Sequence, residues 1–102
     1  RAAFTAGHGG VLRRWSLEGE AVAPAAGFDL PFRAHCLSVH PDGRVACGGS
    51  GGGLLIARGS TEVLRCMSGL HGGAPVSSLT WLDDRRIATV SCSHPRWEVT
   101  SV

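Results

Sequence analysis

The amino-acid sequence predicts an all-β chain built from one repeated unit of four short antiparallel strands. Residues 1–15, 44–58 and 86–100 can be written beneath one another without a gap, each opening with Arg, a small or apolar residue, and Ala. The spacing is 43 residues from Arg1 to Arg44 and 42 from Arg44 to Arg86, and regularity at that period is the mark of a repeat architecture. Within each unit, apolar runs alternate with turns of Pro-Asp-Gly or Asp-Asp type. No stretch carries the 3.6-residue apolar period of a helix.

The elements follow in order. Residues 33–49 align with 76–91, which sets Val39 over Trp81 and Pro41-Asp42-Gly43 over Asp83-Asp84-Arg85. Each segment is an apolar run, a polar turn and a second apolar run, and these turn residues reverse a chain without straining it. A third strand is expected at 54–57, matching 11–17 and 96–99, and a fourth, more polar one at 62–67. Gly51, Gly52 and Gly53 fall between the second and third strands, equivalent to His8, Gly9 and Gly10. Glycine there permits the positive φ of a tight reversal. A phosphate-binding loop would lead into a helix instead, and the pattern after Gly53 is that of a strand. Residues 21–34, with Pro24 and Pro31, read as a linker, since proline suits connections and not central strands.

The units are then an incomplete one at 1–23, a full one at 34–67 and an incomplete one at 76–102, all within a single repeat segment. The chain opens on Arg1 inside a repeat, so it reads as a fragment of a longer array. Uncovered strand edges and sheet faces at both ends predict that the isolated chain self-associates or remains partly unfolded.

Composition narrows the function classes. At 102 residues and 43% apolar content the chain is long enough for a packed core. Ten Arg against eight acids are scattered along the sequence, leaving no basic stripe, so nucleic acid is not expected as a partner. No apolar run approaches the ~20 residues of a membrane helix, and residues 1–15 lack the apolar core of a signal peptide. Cys36, Cys47, Cys66 and Cys92 sit in apolar stretches without close pairing. They read as reduced, buried residues of a cytoplasmic or nuclear, intracellular protein.

Four strands per 42 or 43 residues, Trp15-Ser16, and His71-Gly72 upstream of Val76 resemble the WD-repeat family. The resemblance covers nearly the whole chain and implies a partial β-propeller of about two and a half four-stranded antiparallel blades. The family's Trp position is Arg58 in the second repeat and Thr100 in the third, and its turn Asp is Gly9, Gly52 and His94. The family's His–Ser–Asp–Trp hydrogen-bond network is therefore expected to be incomplete in every repeat. By analogy the function is a scaffold for protein–protein interaction with no chemistry of its own. The alternative is the regulatory or catalytic propeller portion of a larger enzyme.

The candidate sites follow from residue type and spacing. His35, Cys36, His40 and Cys47, or Cys92 with His94, supply metal-ligand types, but neighbouring strand residues point to opposite faces and no close pair recurs. No metal or cofactor is expected. Ser77 or Ser78 with His71 and Asp83 or Asp84 supplies the types of a hydrolytic triad without a nucleophile elbow. Trp81 and Trp97 align with apolar Val39 and Leu55, so both are expected to fill the core. The innermost strands offer Cys36, Leu37, Ser38, Ser78 and Leu79, which favours the scaffold over the enzyme. In the family, one rim gathers the turns between second and third strands and the connections between blades. Here that rim would collect His8, Gly9, Gly10, Gly51, Gly52, Gly53, His71, His94 and Arg96. His8, His71, His94 and Arg96 are its candidate contacts to a protein partner, with Arg96 as the bidentate anchor.

Overall fold

A computed structural model describes residues 2–6, 11–16, 23–58, 62–92 and 97–102. In chain order its strands are β1 (Ala2–Ala6), β2 (Val11–Ser16), β3 (Ala23–Asp29), β4 (Ala34–Val39), β5 (Arg44–Gly49), β6 (Gly53–Arg58), β7 (Glu62–Met67), β8 (Ser78–Trp81), β9 (Arg86–Val90) and β10 (Glu98–Ser101). Two short 3-10 turns, Ser50–Gly52 and Leu70–Gly73, complete the list. No α-helix occurs among the described residues, and the all-β expectation stands.

The strands form three antiparallel sheets, ordered β1-β2-β3, β4-β5-β6-β7 and β8-β9-β10. Within each sheet, strands adjacent in sequence pair with one another. The repeat alignment predicts that β5 pairs with both β4 and β6, and that the same arrangement recurs 42 residues later. Both are found, the second as β9 between β8 and β10. The turns that close the hairpins are also equivalent. His40 N–H donates to Arg44 O at 2.7 Å in one, and Leu82 N–H to Arg86 O at 2.9 Å in the other. Asp42 Oδ1 accepts the Arg44 N–H at 3.0 Å and Asp83 Oδ1 accepts the Arg85 N–H at 2.8 Å. In each turn an acid thus replaces a backbone acceptor two residues back.

The linker expected at 21–34 is corrected. Its middle is β3, which pairs with β2 along Val11↔Asp29 to Ser16↔Ala23. Proline is tolerated because β3 lies at the outer edge of its sheet and the register shifts beside it, between Arg14 and Trp15. Edges and bulges are where a strand can lack a ladder donor. The connection proper is shorter, Leu30 to Arg33.

Two apolar clusters hold the sheets face to face. Leu12 and Leu30 pack on Val45, Cys47, Leu55 and Ala57, tying the first sheet to the second. The other face of the second sheet presents Ala46, Leu54 and Ile56 to Ile87, with Leu79 and Trp81 packed alongside. Strand alternation sends successive residues of β5 and β6 to opposite faces, so a sheet covered on both sides has an unbroken buried run from Val45 to Gly49 and from Gly53 to Ala57. Each large aliphatic side chain fully buried there stabilises the fold by about 1.5–3 kcal/mol.

Where a face or edge has no neighbour, the expected burial is reversed. Trp97, expected in the core, is 64% exposed, whereas Trp81 is half-buried between the second and third sheets. Cys66 and Cys92 are exposed rather than buried, since β7 is an outer edge strand and Cys92 follows the end of β9. Cys47 is buried as expected, and desolvation, reinforced by nearby Cys36, pushes its thiol up to about 12. Burial pushes the Cys36 thiol up as well, partly offset by a backbone hydrogen bond from Gly48. A thiolate-directed reagent at neutral pH is therefore expected to modify Cys66 and Cys92 in the folded chain, and Cys36 and Cys47 only after denaturation. Peptide mapping after brief alkylation checks this, and early labelling of Cys47 would contradict the packing.

Candidate functional site

Strand polarity divides the molecule into two rims. One rim gathers the segment Pro31 to Arg33, the turn Ser50–Gly52 and the turn Leu70–Gly73. It is closed by short bonds: Arg33 N–H donates to Ser50 Oγ at 3.0 Å, and Ser50 N–H returns to Arg33 O at 2.9 Å. Gly69 N–H donates to Gly51 O at 3.0 Å and Val76 N–H to Gly49 O at 2.9 Å. Gly51 and Gly52 both sit at φ 68, as the sequence predicts. Gly53 differs, because it begins β6 in an extended conformation. Its lack of a side chain serves Phe32 instead, whose ring lies where Cβ atoms on Gly49 and Gly53 would have to be.

Against this ring and the turn lies a groove of about 470 Å³, bounded by Pro31, Phe32, Gly51, Gly53, Cys66 and Met67. Its floor is aromatic ring, thioether and glycine backbone. Such a surface suits an apolar side chain, since the floor can desolvate it. The sequence singled out the glycines but not Phe32 or Met67. The available signal was the alternation of small residues at Gly49 and Gly53 opposite one aromatic.

Of the predicted rim contacts, His8, His94 and Arg96 lie outside the described residues. His71 is described, and its side chain is buried rather than offered to solvent. Its Nε2 lies 2.9 Å from Thr89 Oγ1, and its backbone N–H donates to Glu98 Oε2 at 2.7 Å. The turn carries it inward at φ 53, an unusual conformation for a residue with a Cβ. His71 therefore joins the connection before β8 to both β9 and β10.

The opposite rim holds a polar cluster that sequence spacing did not reveal. His40 is buried, its Nδ1 2.9 Å from Asp42 Oδ1 and its Nε2 3.0 Å from Asp84 Oδ1. The ring meets Trp81 edge-on at 5.0 Å, and the Arg44 guanidinium stacks 4.6 Å above the same indole. Arg44 also donates to Asp42 Oδ2 at 2.7 Å and to Asp84 O at 2.6 Å, while Trp81 Nε1–H donates to Ser38 O at 3.2 Å. Burial pushes the Asp42 carboxyl up, but the Arg44 backbone N–H, its guanidinium and His40 together hold it below the usual range. Asp83 is held below it too, by the Arg85 N–H and the Arg86 side chain. These charges satisfy one another across the β4–β5 and β8–β9 turns, so the cluster joins two sheets rather than facing a substrate. A cleft of about 670 Å³ on this side is a shallow surface over the charged turn Asp83 to Arg86.

The triad types are not brought together. His71 is on one rim, Asp83 and Asp84 are on the other, and Ser77 Oγ accepts the Cys92 N–H at 3.0 Å. The metal-ligand types are likewise dispersed: among the described residues no group of three His, Cys, Asp or Glu side chains is placed to hold an ion. No helix among the described residues is long and apolar enough to cross a membrane. No protein-family model matches the chain, and no curated protein matches it.

Proposed function

We propose that the chain is a WD-repeat-like β-propeller segment that acts as a protein-interaction scaffold and carries no chemistry of its own. The observation that carries this reading is the groove at Phe32, Gly51, Gly53 and Met67, an apolar, concave, backbone-rich surface on a rim between two rigid sheets. Loops held by a rigid framework are where binding groups concentrate. Support for the repeat family comes from the recurrence of antiparallel sheets at 42-residue spacing and from their successive face-to-face packing. The 2.9 Å His71–Thr89 contact is a His–hydroxyl pair of the kind found in the family's network. Exposed thiols at Cys66 and Cys92 suit a reducing, intracellular compartment, cytoplasmic or nuclear.

The partner on this reading is another protein, presenting an extended peptide with one bulky apolar side chain to the groove. His8, His94 and Arg96 remain the proposed polar contacts to a protein partner, with Arg96 gripping a carboxylate. A random-peptide display selection on the immobilised chain is expected to enrich sequences sharing one large apolar residue. A synthesised winner is expected to bind at least about tenfold more weakly to the Pro31→Glu or Cys66→Glu variant, and to Arg96→Ala. Both groove positions are exposed, so the melting temperatures should hold. Winners that bind the groove variants as well as the unaltered chain would place the binding surface elsewhere.

A further inference from the structure

No Asp, Glu, His, Lys or Arg is among the described residues that line the groove at Phe32. A charged side chain entering it would leave water without meeting a counter-charge, so a neutral lining matches a neutral occupant. The wall formed by Phe32 is fixed in advance, because its ring fills the space over Gly49 and Gly53 and has no room to swing toward them. Beside it the backbone is bare: a Cβ on Gly51 would meet no atom within 4 Å. Met67 brings a thioether to the same groove. Sulfur against a ring edge, and ring against ring, are contacts that an aromatic side chain makes and an aliphatic one does not. Ser50 and Ser68 also belong to the lining. Ser50 Oγ accepts the Arg33 N–H at 3.0 Å, which leaves its O–H proton to be given to an incoming oxygen.

We propose that the side chain this groove takes from a protein partner is a tyrosine. The inference rests on the groove being the docking surface and names what enters it. A leucine or isoleucine would cover the floor but forgo the contacts of a ring with Phe32 and with the Met67 sulfur. A phenylalanine would make those contacts and set an apolar edge against the serines. A tryptophan carries only an N–H donor, and so has nothing to accept the Ser50 proton. Tyrosine alone among the uncharged side chains joins an aromatic body to a hydroxyl that both accepts and donates. An apolar floor with hydroxyls in its lining is the complement of that shape.

Met67 is the only methionine of the chain, so a methyl-labelled methionine gives a single NMR signal that reports from the groove. The full chain is titrated with three blocked amino acids: N-acetyltyrosinamide, N-acetylphenylalaninamide and N-acetylleucinamide. The tyrosine compound is expected to move the Met67 methyl signal saturably through its ring current. It should bind roughly two- to tenfold more tightly than the leucine compound, with phenylalanine between them. Pro31→Glu, at an exposed position of the lining, should abolish the saturable shift. A Met67 signal unmoved by the tyrosine compound overturns the proposal, as does a shift that survives in Pro31→Glu. Leucine or phenylalanine binding as tightly as tyrosine overturns it too. If that preference is itself lost in Pro31→Glu, the tyrosine assignment falls and the groove stands as the docking surface. Display-selected peptides that bind the groove variants undiminished would instead remove the docking surface itself.

Discussion

Gly52→Ala is expected to lower stability by about 3–5 kcal/mol, whereas Gly51→Ala lowers it by about 1–2 kcal/mol. The two glycines are adjacent and share a φ of 68, so the conformational cost of an added Cβ is the same at both. They differ in what that Cβ meets. At Gly51 it enters open space; at Gly52 it meets the backbone carbonyl and amide of Leu70. Backbone cannot rotate away as a flexible side chain can, so relief requires parting the turns Ser50–Gly52 and Leu70–Gly73. The Gly69–Gly51 hydrogen bond of 3.0 Å between the turns would be lost with it. Urea denaturation of both variants gives the comparison directly. Equal losses would show that left-handed backbone alone, and not the close approach, explains Gly52. In a domain of this size each kcal/mol moves the melting temperature by about 4–8 °C, so Gly52→Ala is expected to melt about 12–40 °C lower.

That contrast also marks how far local sequence reaches. Hairpin order, turn chemistry and strand positions of the second and third sheets are legible because they depend on residues close in the chain: Pro41-Asp42-Gly43 closes β4 to β5 wherever the sheet packs. The positive φ of Gly51 and Gly52 is legible for the same reason. Which glycine tolerates a side chain is not, because the answer is Leu70, 18 positions beyond Gly52. β3 was hidden by Pro24, whose missing N–H is harmless only at an edge, and edge position is a property of the sheet. Trp97 and Cys66 are expected inside on their apolar character, but burial requires a neighbouring surface, and Cys66, on edge strand β7, and Trp97, just before β10, are both exposed. The His40–Trp81–Arg44 cluster joins residues about 40 positions apart, so no local spacing announces it.

His71 carries the second large effect. It was expected at a partner-facing rim, and its side chain is inside, bonded to Thr89 and backed by Glu98. His71→Ala is expected to cost about 2–4 kcal/mol, through the cavity left by the ring and the Thr89 hydroxyl left in a dry site. His71→Gly should cost about 1 kcal/mol less than His71→Ala, since both lose the ring but only alanine keeps a Cβ at φ 53. The side-chain bond itself is isolated by a cycle with Thr89→Val. If Nε2 and Oγ1 are partners, the double variant His71→Ala, Thr89→Val is more stable than the sum of the single losses predicts, by about 0.5–1.5 kcal/mol. Strict additivity would mean that His71 acts through volume and turn conformation alone. Glu98 separates a further contribution: Glu98→Gln keeps an oxygen to accept the His71 N–H at the 2.7 Å position but removes the charge. It should therefore lose less than Glu98→Ala, which abandons the acceptor. The ordering Ala below Gln at position 98, with Ala below Gly at position 71, follows from a histidine that fastens the third sheet to the connection preceding it. A histidine held at the surface for a partner would give four variants of nearly equal stability.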